Sequence, residues 1–227
     1  MKPLVRWTVG GTNNKLAFDC LRKSINNFVR LYGKKFDYVI CYNNCKKANL
    51  PQNIELFDQS LYSNSLPYPP IGNSWKLYPP RLRVQSHEIF IDNDVIIYNP
   101  IEQLDDFLRR QDTFVASEAL KKNDNIYMNM LAAEAPAINT GFLGLPPHFD
   151  FGSEIQKKII SPWSHIFDEQ GLTNLILTEN LKASIISLDQ IWVASSEYRV
   201  GTCGTHFVGL NSIKCSFYKQ FIKNIFL

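Results

Sequence analysis

The segment from Leu4 to Tyr42 constrains the fold most, because it reads as strand, helix, strand. "LVRWTV" is built of β-forming residues and ends at Gly10-Gly11. Ala17, Leu21, Phe28 and Tyr32 then recur at helical spacing. Asn13 or Asn14 is placed to cap that helix and Gly33 to stop it. "FDYVICY", Phe36 to Tyr42, is a second strand and "IELF", Ile54 to Phe57, a short third. Strands joined through a helix of this length pair in parallel, as a βαβ unit. The expectation is an α/β chain with a Rossmann-like, mostly parallel central sheet flanked by helices.

The remaining elements fit that class. "EIFI" is a core strand that runs into Asp92. Asn99, Pro100 and Glu102 suit the cap, first and third positions of a helix that buries Ile101, Leu104, Phe107 and Leu108. "TFVASE", Thr113 to Glu118, is another strand, and "AINTGFLGLP", Ala137 to Pro146, is a strand broken by a polar step. Helices follow around Glu154 to Ile160 and Asp168 to Thr178, then a strand around Ala183 to Leu188. The stretch from Asp58 to Pro80, dense in Pro, Ser, Asn and aromatics, is too long for an idle connection and reads as a functional loop. No internal repeat, low-complexity tract or linker divides the chain, so residues 1–227 are expected to form a single domain.

Composition excludes more than it selects. A net charge of +3, from 24 Lys+Arg against 21 Asp+Glu, is too small to argue for nucleic acid. No apolar run is long enough for a membrane span, and "MKPLVRWTVGG" is too short and interrupted for a signal peptide. The 5 cysteines are odd in number and lack a CxxC pair. That argues against a disulfide framework or zinc site and fits a reducing, cytoplasmic setting.

The chemistry concentrates in "HEIFIDNDVIIYNP", where Asp92-Asn93-Asp94 interrupts two apolar runs. Two carboxylates at the end of a buried strand need a compensating charge. A plain turn explains the residue types, but the chain returns at once to "VIIY". A calcium loop fails, because its sixth and twelfth positions would be Ile97 and Gln103. A divalent cation completed by phosphate oxygens, at the carboxyl end of a strand, supplies the missing charge.

In their order, "IFIDNDVII", "INTGFLGLP", "DEQGLTNLIL" and "THFVG" resemble the motifs of GT-A-fold glycosyltransferases, over most of the chain. The resemblance implies a nucleotide-sugar donor whose diphosphate is clamped by Mn2+ or Mg2+ on the D-x-D. Carried over residue by residue, Asp94 would be the main metal ligand, and Asp92 would hold the metal or the ribose beside Asn93. His206 resembles the histidine that supplies the remaining protein ligand in glycogenin-like, retaining members, with Gly209 close behind. A lysine six residues after that histidine is usual, but position 212 is serine and the nearest lysine is Lys214.

Glu169-Gln170, with Asp168 before them, match a carboxylate-glutamine pair near the reacting face of the sugar. Such an acid serves as general base, cation stabiliser or nucleophile according to the stereochemistry; the same acids also suit a helix N-terminus. Asn139 and Thr140 resemble the segment that contacts donor sugar or acceptor, with Gly141 allowing close approach; a strand bulge is the plainer explanation. Lys76 and Arg81 are candidate phosphate partners ahead of the metal strand. Thr8 and Gly10 are candidates for base and ribose. Trp7 and Tyr42 suit either base stacking or the core.

The expected activity is metal-dependent transfer from a nucleoside diphosphate sugar, UDP by default, to an unknown glycan, protein or small-molecule acceptor. A sugar-phosphate nucleotidylyltransferase would need a longer loop with an arginine after the first strand than "GGTNNKLA" provides. An inactive relative that only binds sugar or a partner is the alternative from outside the enzymes.

Overall fold

The computed structural model describes residues 1–11, 15–120, 130, 134–164, 168–193, 199, 201–208 and 218. In chain order the strands are β1 (Leu4–Gly10), β2 (Asp37–Asn43), β3 (Glu55–Asp58), β4 (Glu88–Asp92), β5 (Val95–Ile97), β6 (Thr113–Glu118), β7 (Ile138–Leu145), β8 (Lys182–Ile186), β9 (Ile191–Val193) and β10 (Gly204–His206). The α-helices are α1 (Lys15–Tyr32), α2 (Glu102–Phe107), α3 (Phe151–Lys158) and α4 (Asp168–Asn180).

The central sheet has 7 strands in the order β3-β2-β1-β4-β7-β6-β8. β7 is antiparallel to both of its neighbours, and every other pairing in the sheet is parallel. The mostly parallel α/β sheet expected from the sequence is therefore present. β1 leads through β2 to β3 on one side, whereas β4 opens the other side. The β1/β4 boundary is thus a topological switch point, where open α/β sheets leave a crevice beyond the strand ends.

Alternation along the strands assigns the two faces. Val5, Trp7 and Val9 of β1 and Ile89 and Ile91 of β4 join one apolar core with Phe18, Leu21, Ile25 and Phe28 of α1. Trp7 belongs to this core: it is fully buried, meets Phe28 edge-on and donates from Nε1 to Ser24 Oγ at 2.8 Å. Tyr42 is half-buried instead, and its hydroxyl donates to Asp58 at 3.2 Å. Gly33 ends α1 with a φ of 52°, a left-handed conformation that glycine adopts without a Cβ penalty. On the opposite face Phe90, Leu143 and Leu145 pack with Phe151 and Ile155 of α3 and Leu172 and Ile176 of α4.

That second face also carries charge. Arg6 and Glu88 are fully buried and 3.1 Å apart, and Arg81 reaches the other oxygen of Glu88 at 3.2 Å. Backbone N–H groups of Leu82 and Arg83 donate to the same carboxylate, and Arg6 stacks over Phe90 at 3.8 Å. Each charge is met by partners with good geometry, as burial requires.

Two expectations need correction. Asn99 does not cap α2; its side chain donates to Thr202 O at 3.3 Å, and Ile101 occupies the cap position. The apolar segment after Asp94, which the sequence reading left without a partner, is β5 of a second sheet ordered β5-β10-β9. Its strands are 3 residues each and β5 pairs with a strand far along the chain, so local pattern carries little trace of them. Asn13, Asn14 and Cys215 lie outside the described residues.

Candidate active site

The ends of β1, β2 and β4, the start of β7, the first turn of α4 and the end of β10 meet at a cavity of about 620 Å3. Thr8 and Gly10 line it from β1; Asp92, Asn93 and Asp94 from β4 and the turn after it; Asn139 and Thr140 from β7. Glu169 and Gln170 come from α4 and His206 from β10. The long loop before β4 contributes Gly72, Asn73, Trp75 and Lys76. Residues far apart in sequence, most of them singled out by the order of motifs, thus share one crevice.

Asp92 lies opposite Thr8 in the β1–β4 register, and Asn93 and Asp94 form the turn that follows. One ligand atom each from Asp92, Asp94 and His206 lies within 4.8 Å of the others. His206 Nε2 is 3.3 Å from Asp94 Oδ1, while its buried Nδ1 has no hydrogen-bond partner among the described residues. A bound divalent cation fits this group: carboxylate oxygens and an imidazole nitrogen suit Mn2+, and the cluster is acidic before anything binds. The ring of His206 lies against Gly141. A Cβ there would come within 2.4 Å of Cε1 and 2.6 Å of Nδ1, so glycine is what lets the imidazole in.

The acid beside this cluster is Glu169, 3% exposed. Thr140 Oγ1 donates to it at 3.2 Å, and Thr140 N donates to Gln170 Oε1 at 3.2 Å. The β7 segment that carries Asn139 and Thr140 is irregular, with a register shift against β6 between Ala116 and Ser117, and Asn139 Oδ1 accepts from Gly141 N at 2.8 Å. Bulge and site residue are therefore the same feature.

Lys76 is buried among acids. Its Nζ lies 2.9 Å from Asp92, 3.3 Å from Thr140 Oγ1 and 3.5 Å from Glu169 Oε1. Burial disfavours the ammonium, but Asp92 and then Glu169 outweigh it and hold the lysine protonated. Burial is the largest influence on Glu169 and, with the Asp92 charge adding to it, pushes its carboxyl up to about 7 against the opposing pull of Lys76. The site therefore pairs an ammonium held charged with a carboxyl raised to about 7.

Two candidates fall elsewhere. Arg81 does not line the cavity: besides Glu88, it donates to the carbonyls of Pro146, Phe149, Arg83 and Ser86, so its guanidinium is spent inside the fold. Asp168 is buried and accepts from the backbone and hydroxyl of Ser164 at 2.7 and 3.0 Å, which fixes the start of α4 rather than meeting a ligand. Gly209 and Lys214 lie outside the described residues.

The sequence reading missed what holds Lys76 in place. Arg6 donates to the carbonyls of Lys76 and of Pro79, the latter at 3.0 Å. Gln59, fully buried, donates to Trp75 O at 2.7 Å and to Tyr78 O at 3.0 Å. Asn43 also went unnoticed; it lines the cavity and bonds Gln59 at 3.0 Å. An arginine inside the apolar run of β1 was the available signal for this clamp.

Solved structures share this architecture. The galactosyltransferase LgtC in complex with donor and acceptor sugar analogs superposes with a TM-score of 0.64 at 12% identity, covering 97% of this chain and 94% of that one. The apo bifunctional glycosyltransferase WbbM gives 0.67 at 12% identity over 92% of this chain, which spans 46% of the WbbM chain. The chain has the GT-A fold. Mouse xyloside xylosyltransferase 1, with a TM-score of 0.57 and 9% identity, covers 93% of the chain and 99% of its own length. No family model and no curated protein matches the sequence. At these identities the likeness establishes the GT-A fold and leaves the chemistry to the residues of the crevice.

Proposed function

We propose that residues 1–227 form one GT-A glycosyltransferase domain that takes a nucleoside diphosphate sugar, UDP-linked by default, and transfers the sugar to a glycan, protein or small-molecule acceptor. The observation that carries this reading is the convergence of Asp92, Asp94 and His206 with Lys76, Glu169 and Gln170 in the crevice beside β1. Asp94 and His206, with Asp92, would hold Mn2+ or Mg2+. Such an ion supplies Lewis-acid stabilisation for the departing diphosphate.

The chain's own residues account for the rest. The backbone at Thr8 and Gly10, on the first strand at the switch point, receives the nucleoside. Asn93 and Asn139 offer amides to the ribose and sugar hydroxyls. Lys76 places a fixed positive charge beside the donor. Thr140 aligns Glu169 and Gln170 through its hydroxyl and its N–H. Glu169, buried and raised to about 7, faces the reacting sugar as base or as stabiliser of its developing positive charge. Cys20, Cys41, Cys45 and Cys203 are all free thiols, which supports a cytoplasmic setting. Among the described residues no helix is long and apolar enough to cross a membrane.

The test is slow donor hydrolysis without acceptor, across a panel of nucleotide sugars. Release of UDP and free sugar that requires Mn2+ or Mg2+ and disappears in Asp94→Ala is the expected result. A panel with no turnover and no binding, or turnover unchanged in Asp94→Ala, overturns the proposal.

A further inference from the structure

Both oxygens of Asp92 are already engaged. Nζ of Lys76 lies 2.9 Å from Oδ1 and 2.9 Å from Oδ2, so one ammonium straddles the carboxylate. Lys76 is not a surface lysine free to swing away. Its side chain is 5% exposed, it also reaches Thr140 and Glu169, and Arg6 holds its carbonyl from below. A divalent ion drawing on Asp92 would share those oxygens with a fixed cation. Two such charges repel, and burial screens the repulsion poorly. Among the described residues no lysine or arginine is paired with Asp94: its side chain, 18% exposed, lies against His206.

We propose that Lys76 is the built-in counter-cation of Asp92 and competes with the divalent ion for that carboxylate, so that the nucleotide-free site holds the ion mainly through Asp94 and His206. The inference rests on the metal reading of the site given above. It has a functional consequence: a diphosphate entering the crevice brings negative charge that offsets both cations, so ion and nucleotide strengthen each other's binding reciprocally.

The experiment titrates Mn2+ alone into the nucleotide-free chain and reads free Mn2+ by electron paramagnetic resonance. Lys76→Met and Lys76→Gln are each expected to bind Mn2+ at least about tenfold more tightly than wild type. Affinity equal to or below that of wild type, in variants whose circular dichroism remains native, overturns the competition. Should removal of a buried lysine unfold both variants, Asp92→Asn decides. It leaves Lys76 uncompensated and so weakens Mn2+ binding, but at least about tenfold less than Asp94→Asn does. Equal large losses in the two aspartate variants overturn the proposal. If neither wild type nor any folded Lys76 variant takes up Mn2+, the metal reading itself fails and the inference with it. Equal affinity in all of them removes the inference alone.

Discussion

At the scale of single residues, the site is decided by small distances around His206 and Glu169. An alanine at position 141 would put its Cβ within 2.4 Å of the His206 ring, and the imidazole would have to leave its place beside Asp94. Gly141→Ala should therefore weaken Mn2+ binding by roughly 10- to 100-fold and, by overpacking a buried contact, cost the ion-free protein about 1–3 kcal/mol; metal titration and urea denaturation check the pair. Glu169 makes a second prediction. Its folded value of about 7 lies above the ordinary 4.5, so the folded ion-free protein binds this proton more tightly than the unfolded chain does. The stability it contributes is complete below about pH 4.5 and is lost as pH rises through about 7. Urea denaturation of the ion-free protein at about pH 5 and about pH 8 should show a drop in wild type that Glu169→Gln lacks, the difference being at most about 3 kcal/mol. Identical pH dependence in the two proteins would show that Glu169 titrates normally.

At the scale of elements, β1 and β4 do two jobs on one face. Near their starts Arg6 and Glu88 form a buried ion pair, and near their ends Thr8 and Asp92 line the crevice. The segment from Trp75 to Pro79 lies across both, pinned by Arg6 and Gln59 at its carbonyls, and this is how a long loop delivers Lys76 into the site. Arg6→Ala should cost about 3–5 kcal/mol in urea denaturation, because it leaves Glu88 short of a partner and two carbonyls without their donor. A loss below about 1 kcal/mol would mean the cluster is dispensable. Much of this layer was legible beforehand: β1, α1, β2, β4 and β6 have strong periodicity or clear stops, and the D-N-D interruption marked the site. The rest was not. Arg81 and Lys76 look alike in "SWKLYPPRLR", and only the position of Glu88 on the folded strand separates a structural guanidinium from a site ammonium. Asp168 and Glu169 are likewise neighbours, yet the first accepts from Ser164 and the second lines the cavity.

At the scale of the whole molecule, the sheet order places the crevice and the second, small sheet completes it. β10 pairs with β5 directly after the D-N-D turn, so His206 arrives beside Asp94 because Val95 and His206 are register partners. Two side chains far apart in sequence are thereby brought together by backbone pairing. Inside the chain the carboxylate of Asp92 is met by Lys76, and the proposed cation with its diphosphate would supply the rest from outside. Calorimetric titration of UDP into the full chain, in Mn2+ and again in excess EDTA, tests that combination most directly. Binding in Mn2+ that falls by about 100-fold or more in EDTA is expected, with the same loss in Asp94→Ala. UDP affinity that is the same with and without the ion, or absent in both, would contradict a metal-diphosphate site in this crevice.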